Sequence, residues 1–303
     1  MRDAFVEALS EAAARDNRIW LITGDLGFNV LEGFAERFPD RYLNAGVAEQ
    51  NMIGVAAGIA MAGNIPFVYS LGNFPIVRCL EQIRNDVCYH DLPVRIVALG
   101  GGLTYGSLGY THHSVEDLAI MKSMPGMQVI APGDPAEARA ATAALCTGNR
   151  PAYLRLGRAG ERQVHKDDPV FEIGRASPVV EGSDCTVIAT GAILAVAADA
   201  AELLRKQGIS VRLISMHTLS PLDVDAIRQA ANTAMVVTIE EHGPGGLSSS
   251  VAEALVGQSV RFVPIYLEGG PITVAGTQFS LRGRCGLTAD NVASKIQDGL
   301  GLG

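Results

Sequence analysis

Glu49 is the residue whose setting first suggests chemistry. It stands in Asn44-Ala45-Gly46-Val47-Ala48-Glu49-Gln50-Asn51-Met52-Ile53-Gly54 and opens a segment built mostly of Ala, Gly, Ile, Val and Met. That composition predicts a helix buried over most of its surface. A carboxylate there is costly unless it is paired or hydrogen-bonded. It is either used, or it merely exploits the helix dipole, which favours an acid in the first turn; the local pattern alone favours the second reading. Two other groups stand out: Phe74 with Arg78 four residues later, and the run Gly109-Tyr110-Thr111-His112-His113-Ser114. Each is weak alone, because a lone Phe is most often core and a bare His pair is seldom functional.

The elements that must position these residues are legible as short apolar runs alternating with helical patterns. Arg18–Thr23, Ile65–Ser70, Val94–Leu99, Met127–Ile130 and Ala152–Leu156 have the look of strands buried on both faces of a parallel sheet. Between them, segments 2–15, 50–62, 77–89, 115–123 and 135–147 read as helices. A polar stretch from Gly160 to Ser177 suits a linker, and then the pattern restarts. Strands are expected at 185–189, 211–215, 234–239 and 260–267, and helices at 192–207, 223–231 and 247–256. The expected fold class is α/β, as two α/β domains with mainly parallel sheets. The expected division is 1–163, a linker 164–178, and 179–303. In open sheets of this kind functional residues lie beyond the carboxyl ends of strands. Asp25, the Gly100-Gly101-Gly102 loop and Thr111-His112-His113 all do so.

Bulk properties exclude several classes. A chain of 303 residues with 48% hydrophobic and 18% charged residues has ample material for packed cores. The net charge is −8 with no basic run, which argues against a nucleic-acid partner. Gln50 to Val77 carries no charge, a stretch longer than the roughly 20 residues of a membrane span. Asn51, Asn64, Pro66, Asn73 and Pro75 interrupt it, so a buried helix, a turn and a buried strand are expected instead of a membrane segment. The five scattered cysteines form no CxxC and predict no zinc site or disulfide framework. With no apolar signal after Met1, a cytoplasmic location is expected.

The order of the motifs adds what no single one carries. Gly46-Val47-Ala48-Glu49-Gln50-Asn51-Met52, followed by Gly54-Val55-Ala56-Ala57-Gly58, resembles the signature of the pyrimidine-binding domain of transketolases. Phe74 to Asn85, Gly109 to Asp117, Ile130 to Asp134, Tyr153 to Arg158, Gly191-Ala192, Ile239 to His242 and Gly286 to Ala289 also resemble family stretches. The resemblance implies a thiamine-diphosphate enzyme that transfers a two-carbon ketol unit from a ketose donor to an aldehyde acceptor. It implies that Glu49 hydrogen-bonds the N1′ nitrogen of the cofactor's aminopyrimidine and so favours loss of the thiazolium proton, an interaction that low dielectric strengthens. It implies that Phe74 stacks on that ring, with Asp25 and Gln50 as further cofactor contacts. His112 is the expected active-site histidine near the reacting carbon, with His113 where the family usually has Gln.

The departures are equally specific. No Gly-Asp-Gly metal–diphosphate segment occurs, so no metal ligand is expected in this chain. The resemblance then implies a partner, an N-terminal diphosphate-binding subunit that holds Mg²⁺ or Ca²⁺, in an α2β2 heterotetramer. Ser107 and Leu108 stand where ordinary transketolases have an acidic pair, and Gly100 stands where sugar-phosphate enzymes have a phosphate-contacting histidine, leaving space. Asn29 replaces a phosphate-contacting serine, whereas Arg2 and Arg155 match the two phosphate-binding arginines. Arg2, Asn29, Leu108, His113 and Arg155 are therefore the expected substrate residues, with an altered donor. The alternatives are the beta subunit of a 2-oxo acid dehydrogenase, a deoxyxylulose-phosphate synthase, and a non-catalytic homologue. Ala-Glu-Gln-Asn and Thr-His-His favour transketolase over the first.

Overall fold

The computed structural model describes residues 1–302. Among the described residues twelve strands form two sheets. The first is built from β1 (Ile19–Thr23), β2 (Tyr42–Asn44), β3 (Ile65–Leu71), β4 (Arg95–Leu99), β5 (Gln128–Ile130) and β6 (Ala152–Leu156), all mutually parallel. β7 (Ser177–Val180) begins two residues inside the expected linker 164–178, and after it come β8 (Cys185–Thr190), β9 (Val211–Ser215), β10 (Thr218–Ser220), β11 (Met235–Glu240) and β12 (Arg261–Ile265). The strand orders are β10-β5-β6-β4-β3-β1-β2 and β12-β11-β8-β9-β7. Only the edge strands β10 and β7 run antiparallel.

The longer helices match the expected patterns: α1 (Arg2–Ala13), then a short α2 (Glu32–Arg37), and α3 (Glu49–Met61). The expected helix 77–89 is broken. It starts early as α4 (Phe74–Val77), resumes as α5 (Leu80–Gln82), and runs into a π-turn at Ile83–Cys88. Pro75 lies in the first turn, where a missing N–H costs nothing. Then follow α6 (Asp117–Lys122), α7 (Pro135–Thr147), α8 (Leu194–Lys206), α9 (Val224–Ala230) and α10 (Leu247–Ala254). Two more helices, α11 (Gln278–Arg284) and α12 (Ala289–Leu300), lie where the apolar-run pattern marks nothing. Their signal is in the caps: Thr277 and Thr288 each accept a backbone N–H three residues on.

Strand alternation explains how the two sheets share a core. In the first sheet Leu21, Phe67, Val97 and Leu154 point to the α1/α7 side, where they meet Phe5, Leu9, Ala141 and Leu145. Their neighbours Ile22, Val68, Ile96 and Tyr153 point the other way, onto α3 and the π-turn. That second cluster continues without a break to Ile188, Ile214 and Val236 of the second sheet and Val251 of α10. β10 strengthens the join, since it leaves the second unit to pair with β5 of the first. No helix of the described residues is long and apolar enough to cross a membrane.

The linker is clasped where it leaves the first unit. Asp134 caps α7 through the Glu137 N–H at 2.9 Å, and its other oxygen accepts from the N–H groups of Val164 and His165 and from His165 Nδ1. Burial raises the Asp134 carboxyl, but these hydrogen bonds, His165 first, outweigh it and bring it to about 2. Glu137 accepts from Gly133 N–H and Ser215 Oγ, and its second oxygen lies 3.5 Å from His165 Nε2. Burial pushes Glu137 up to about 7. Burial opposes a charge on His165, yet the Asp134 hydrogen bond and the Glu137 charge raise it above its ordinary value. His217, stacked on Phe171, is held down to about 4 by burial and by His165.

The sign of the pH effect follows. Asp134 and His217 have lowered values, so they weaken the fold only as pH falls, below about 6.5. Glu137 and His165 have raised values, so the native state holds protons that the unfolded chain has released, and stability is lost as pH rises through them. Denaturant unfolding of the isolated chain is expected to weaken by about 1 kcal/mol between about pH 6.5 and 8. Glu137→Gln, which mimics the protonated acid, is expected to flatten most of that slope; an unchanged slope would remove the clasp as its source.

Candidate active site

The carboxyl ends of β1 and β2 are zipped together beside the start of α3. The Asp25 N–H donates to Asn44 Oδ1 at 2.9 Å, Asn44 Nδ2 donates back to Asp25 Oδ1 at 3.3 Å, and the Gly46 N–H also donates to Asn44 Oδ1 at 3.0 Å. Asp25 adopts a left-handed φ of 60°, which a short polar side chain tolerates. The close approach explains Gly24, where a Cβ would lie 3.2 Å from the Gly46 carbonyl oxygen. This zipper delivers the chain into α3 with Glu49 as its first residue.

Glu49 is 6% exposed. Arg78 Nη1 donates to its Oε1 at 2.9 Å, and its other oxygen takes no hydrogen bond among the described residues. The Arg78 guanidinium lies 4.3 Å over the Phe74 ring, whose flank receives the His112 ring at 5.3 Å in an edge-on contact. Gln50 Nε2 donates to the Arg78 carbonyl at 3.0 Å, and Thr111 Oγ1 lies 2.9 Å from His112 Nδ1. The structure therefore brings Glu49, Gln50, Phe74 and His112 together. It adds Arg78, whose signal in the sequence was its place one helical turn after Phe74. Asp25 lies on the adjoining zipper, exposed.

His113 is buried, neither ring nitrogen makes a hydrogen bond among the described residues, and burial lowers its pKa. It sits behind the exposed tip of its loop, not on it. Leu108 occupies that tip and is 55% exposed. Asn29 is exposed on the β1 loop, with its N–H given to Glu32 Oε1 at 2.7 Å.

The expected anion subsite is rearranged. Gly100 does not open space: a Cβ there would lie 2.2 Å from the Tyr105 ring, which fills the position. Arg155 faces inward, almost fully buried. Its Nε and Nη2 bond Asp117 at 2.8 and 3.2 Å, and Nη2 also donates to the carbonyls of Ser114 and Glu241. Arg158 is instead exposed; its N–H donates to Glu161 Oε1, its guanidinium has no carboxylate partner among the described residues, and it lines a cleft of about 660 Å³ with Ser107. Burial pushes the Tyr105 phenol up, and the nearby Arg2 and Arg158 charges oppose this. Arg155, the expected second arginine of this subsite, is thus spent on Asp117, whereas the Arg158 side chain is exposed.

Comparison with known proteins finds two family domains in the chain. Residues 1–162 match the transketolase pyrimidine-binding domain, and residues 174–292 match the transketolase C-terminal domain. The chain belongs to the transketolase family. Among its relatives, an apulose-4-phosphate transketolase subunit of Phocaeicola vulgatus is 38% identical over 274 residues, covering 89% of this chain and 87% of that one. The 6-deoxy-6-sulfo-D-fructose transketolase subunit SqwH of a Clostridium species is 40% identical over 258 residues, covering 84% and 80%. A solved structure described as a split gene transketolase, inactive beta4 tetramer, superposes with a TM-score of 0.88 at 37% identity, over 99% of this chain and 98% of that one. The deoxyxylulose-phosphate synthase of Magnetococcus marinus is 34% identical, but the chain spans only 49% of its length. The chain is thus a thiamine-diphosphate-dependent transketolase subunit, a transferase.

For such a transketolase subunit the donor set fits one end of thiamine diphosphate. A free carboxylate oxygen at a helix start, beside a half-buried aromatic ring, suits the aminopyrimidine. No group of three or more His, Cys, Asp or Glu side chains placed to hold a metal ion occurs among the described residues.

The two arginines differ in what their loss should do. Arg155→Ala leaves Asp117 buried without its partner, which costs about 3–5 kcal/mol of stability. Arg158→Ala, at an exposed unpaired site, is expected to change stability by less than about 0.5 kcal/mol. Denaturant unfolding of both variants checks this, and an Arg155→Ala chain of normal stability would contradict the structural role.

Proposed function

We propose that this chain activates thiamine diphosphate and reads the ketose donor in a two-chain transketolase, with residues 1–163 as the activating domain. The observation that carries the reading is the unbonded Glu49 oxygen beside Phe74 and His112. Bound thiamine diphosphate supplies the thiazolium carbon chemistry of two-carbon transfer. Glu49 would share a proton in a hydrogen bond with the cofactor's ring nitrogen, and its position at a helix start of low exposure would strengthen that bond. Phe74 stacks on the ring, Gln50 and Asp25 brace the walls of the site, and His112, oriented by Thr111, faces the donor.

The partner we infer is a diphosphate-binding subunit that holds Mg²⁺ or Ca²⁺, in an α2β2 assembly. The subunit designations of the relatives support this, as does the relative whose beta4 tetramer is described as inactive. Phe28, Val47, Val77, Leu108 and Tyr110 are also exposed apolar residues, on the segments that follow β1, β2, β3 and β4, as Glu49 does. Apolar surface gathered around a site marks a place that another chain covers.

For the donor, we infer a ketose with an anionic terminus and an altered hydroxyl pattern. The names of the two relatives specify a phosphate and a sulfonate. Arg2, Arg158 and the Tyr105 hydroxyl would hold such a group. Leu108 cannot accept a hydrogen bond from a sugar hydroxyl, and burying that hydroxyl against it costs about 1–3 kcal/mol.

Purified alone, the chain is expected to show no two-carbon transfer; addition of the partner, Mg²⁺ and cofactor restores it. Turnover by the chain alone would end the two-chain reading. In the assembled enzyme Glu49→Ala is expected to slow exchange of the thiazolium proton at least about 100-fold without unfolding the chain. Phe74→Ala should mainly weaken cofactor affinity, by about 0.5–1.5 kcal/mol beyond the lost area. Arg158→Ala should raise KM for an anionic ketose about tenfold or more, as loss of a charged hydrogen bond implies. Leu108→Asp should shift kcat/KM toward xylulose 5-phosphate, and an unmoved ratio would refute the altered-donor reading.

A further inference from the structure

Glu241 is a buried carboxylate for which two-carbon transfer has no evident use. It follows β11 in the second sheet and is 3% exposed. Its Oε1 accepts from the Leu103 N–H at 2.9 Å and from Gln278 Nε2 at 3.1 Å. Its Oε2 accepts from Gln278 Nε2 at 3.1 Å, from Arg282 Nε at 2.9 Å, and from Arg282 Nη2. Gln278 and Arg282 belong to α11, but Leu103 belongs to the first unit, in the loop that follows β4.

That loop carries Leu108 and His112. Its base is closed by Gly102 and Ser114, which exchange N–H···O bonds of 2.7 and 2.9 Å. Gly102, at φ +68°, lies against Glu241 so closely that a Cβ would fall 2.6 Å from the Glu241 Cγ. Gln278 Nε2 also donates to Thr104 Oγ1 at 3.1 Å, and the Gly276 N–H donates to the Gly106 carbonyl at 3.1 Å. Gly106 is pressed onto Leu281, where a Cβ would lie 2.3 Å from Cδ1. Beyond Gly106 this support ends, and Ser107, Leu108, Tyr110 and Thr111 are exposed. The returning limb is held by the same turn. The Gly243 N–H donates to the Val115 carbonyl at 2.7 Å, and His242 Nε2 accepts from the Leu118 N–H at 3.1 Å.

We propose that Glu241 is a positioning residue for donor recognition: from the second sheet it sets the place of the Gly102–Ser114 loop without touching the substrate. The inference rests on the two-carbon-transfer reading for what the loop recognises, and on geometry alone for what holds it. The carboxylate serves because one group must accept from a backbone N–H of one unit and a guanidinium of the other, and charge-assisted bonds are about twice as strong as neutral ones. Position matters here because a misplacement of about 1 Å at a reacting centre costs about 100-fold in rate.

The test uses the assembled enzyme with Mg²⁺ and cofactor. Glu241→Gln removes the charge opposite Arg282, and Glu241→Asp withdraws the carboxylate from Leu103 by one methylene. Both are expected to raise the donor KM about tenfold or more, with thiazolium proton exchange, which reports Glu49, unchanged. Arg282→Lys keeps the charge and should retain a near-normal KM. Amide hydrogen exchange at Leu103, measured on the same variants, should speed up for Gln and Asp but not for Lys. Should Glu241→Gln fail to fold, Gln278→Ala, at a half-exposed site, removes the Thr104 link and is expected to raise KM in the same sense. Unchanged Leu103 exchange, or faster exchange with unchanged KM, overturns the proposal. So does a parallel fall of kcat, thiazolium exchange and melting temperature, which would mark general unfolding. An unaltered enzyme without turnover would strike the two-carbon-transfer reading, and Leu103 exchange would still decide whether Glu241 holds the loop.

Discussion

Asp117 and Arg155 form the buried ion pair on which the arrangement of both sheets turns. Asp117, the first residue of α6, also accepts from the Tyr153 hydroxyl at 2.5 Å, and Arg155 reaches the carbonyls of Ser114 and Glu241. One guanidinium thus ties together the end of β6, the limb that follows His112–His113, and the turn that leaves β11. A buried pair is retained only when its remaining hydrogen-bonding capacity is met. Here backbone carbonyls from two different units meet it. The consequence is geometric more than energetic, since the unit that carries Glu49 and the unit that carries Glu241 cannot shift independently.

Around that strut the parallel first sheet divides labour between its two ends. The carboxyl ends of β1, β2, β3 and β4 feed the loops that hold Asp25, Glu49, Phe74 and His112. These loops meet because parallel strands send their outgoing connections to one edge. The second sheet brings none of these residues to the Glu49 cluster. Its part is to extend the core through Ile188, Ile214 and Val236, and to brace the Gly102–Ser114 loop through Glu241, Gln278 and Leu281. This gives the C-terminal domain a physical reason to be kept beside the pyrimidine-binding domain.

On the proposed two-chain reading, the chemistry of the transketolase subunit is incomplete in one chain. Glu49 has one oxygen committed to Arg78 and one free, and the apolar side chains around it are open to solvent. An acidic group at low exposure and an apolar rim are both costly in isolation. They become reasonable when a second surface closes over them.

Much of this was legible in the sequence alone. Buried parallel strands show as continuous apolar runs, so nine of the twelve strands lie where those runs stand, and Glu49, Phe74 and His112 stand in motifs whose order identifies the family. The short edge strands β2, β7 and β10 were not legible, because three or four residues carry no periodicity and pair only when a neighbour is already in place. The interruption of the helix at Cys79 and the caps of α11 and α12 are similarly local. The direction of a side chain is a different matter. Arg155 and Arg158 both match an arginine-rich run, yet one turns into the core toward Asp117 and the other outward, because strand alternation and the end of β6 decide which face each meets. Gly100 read as open space, but its space belongs to Tyr105, five residues away on the folded-back loop. Composition and order determined the fold class, the family and the residues proposed to meet the cofactor. Only the tertiary structure decided which charges are spent inside the protein and which remain for a ligand, because burial and partnership are properties of packing that no linear pattern contains.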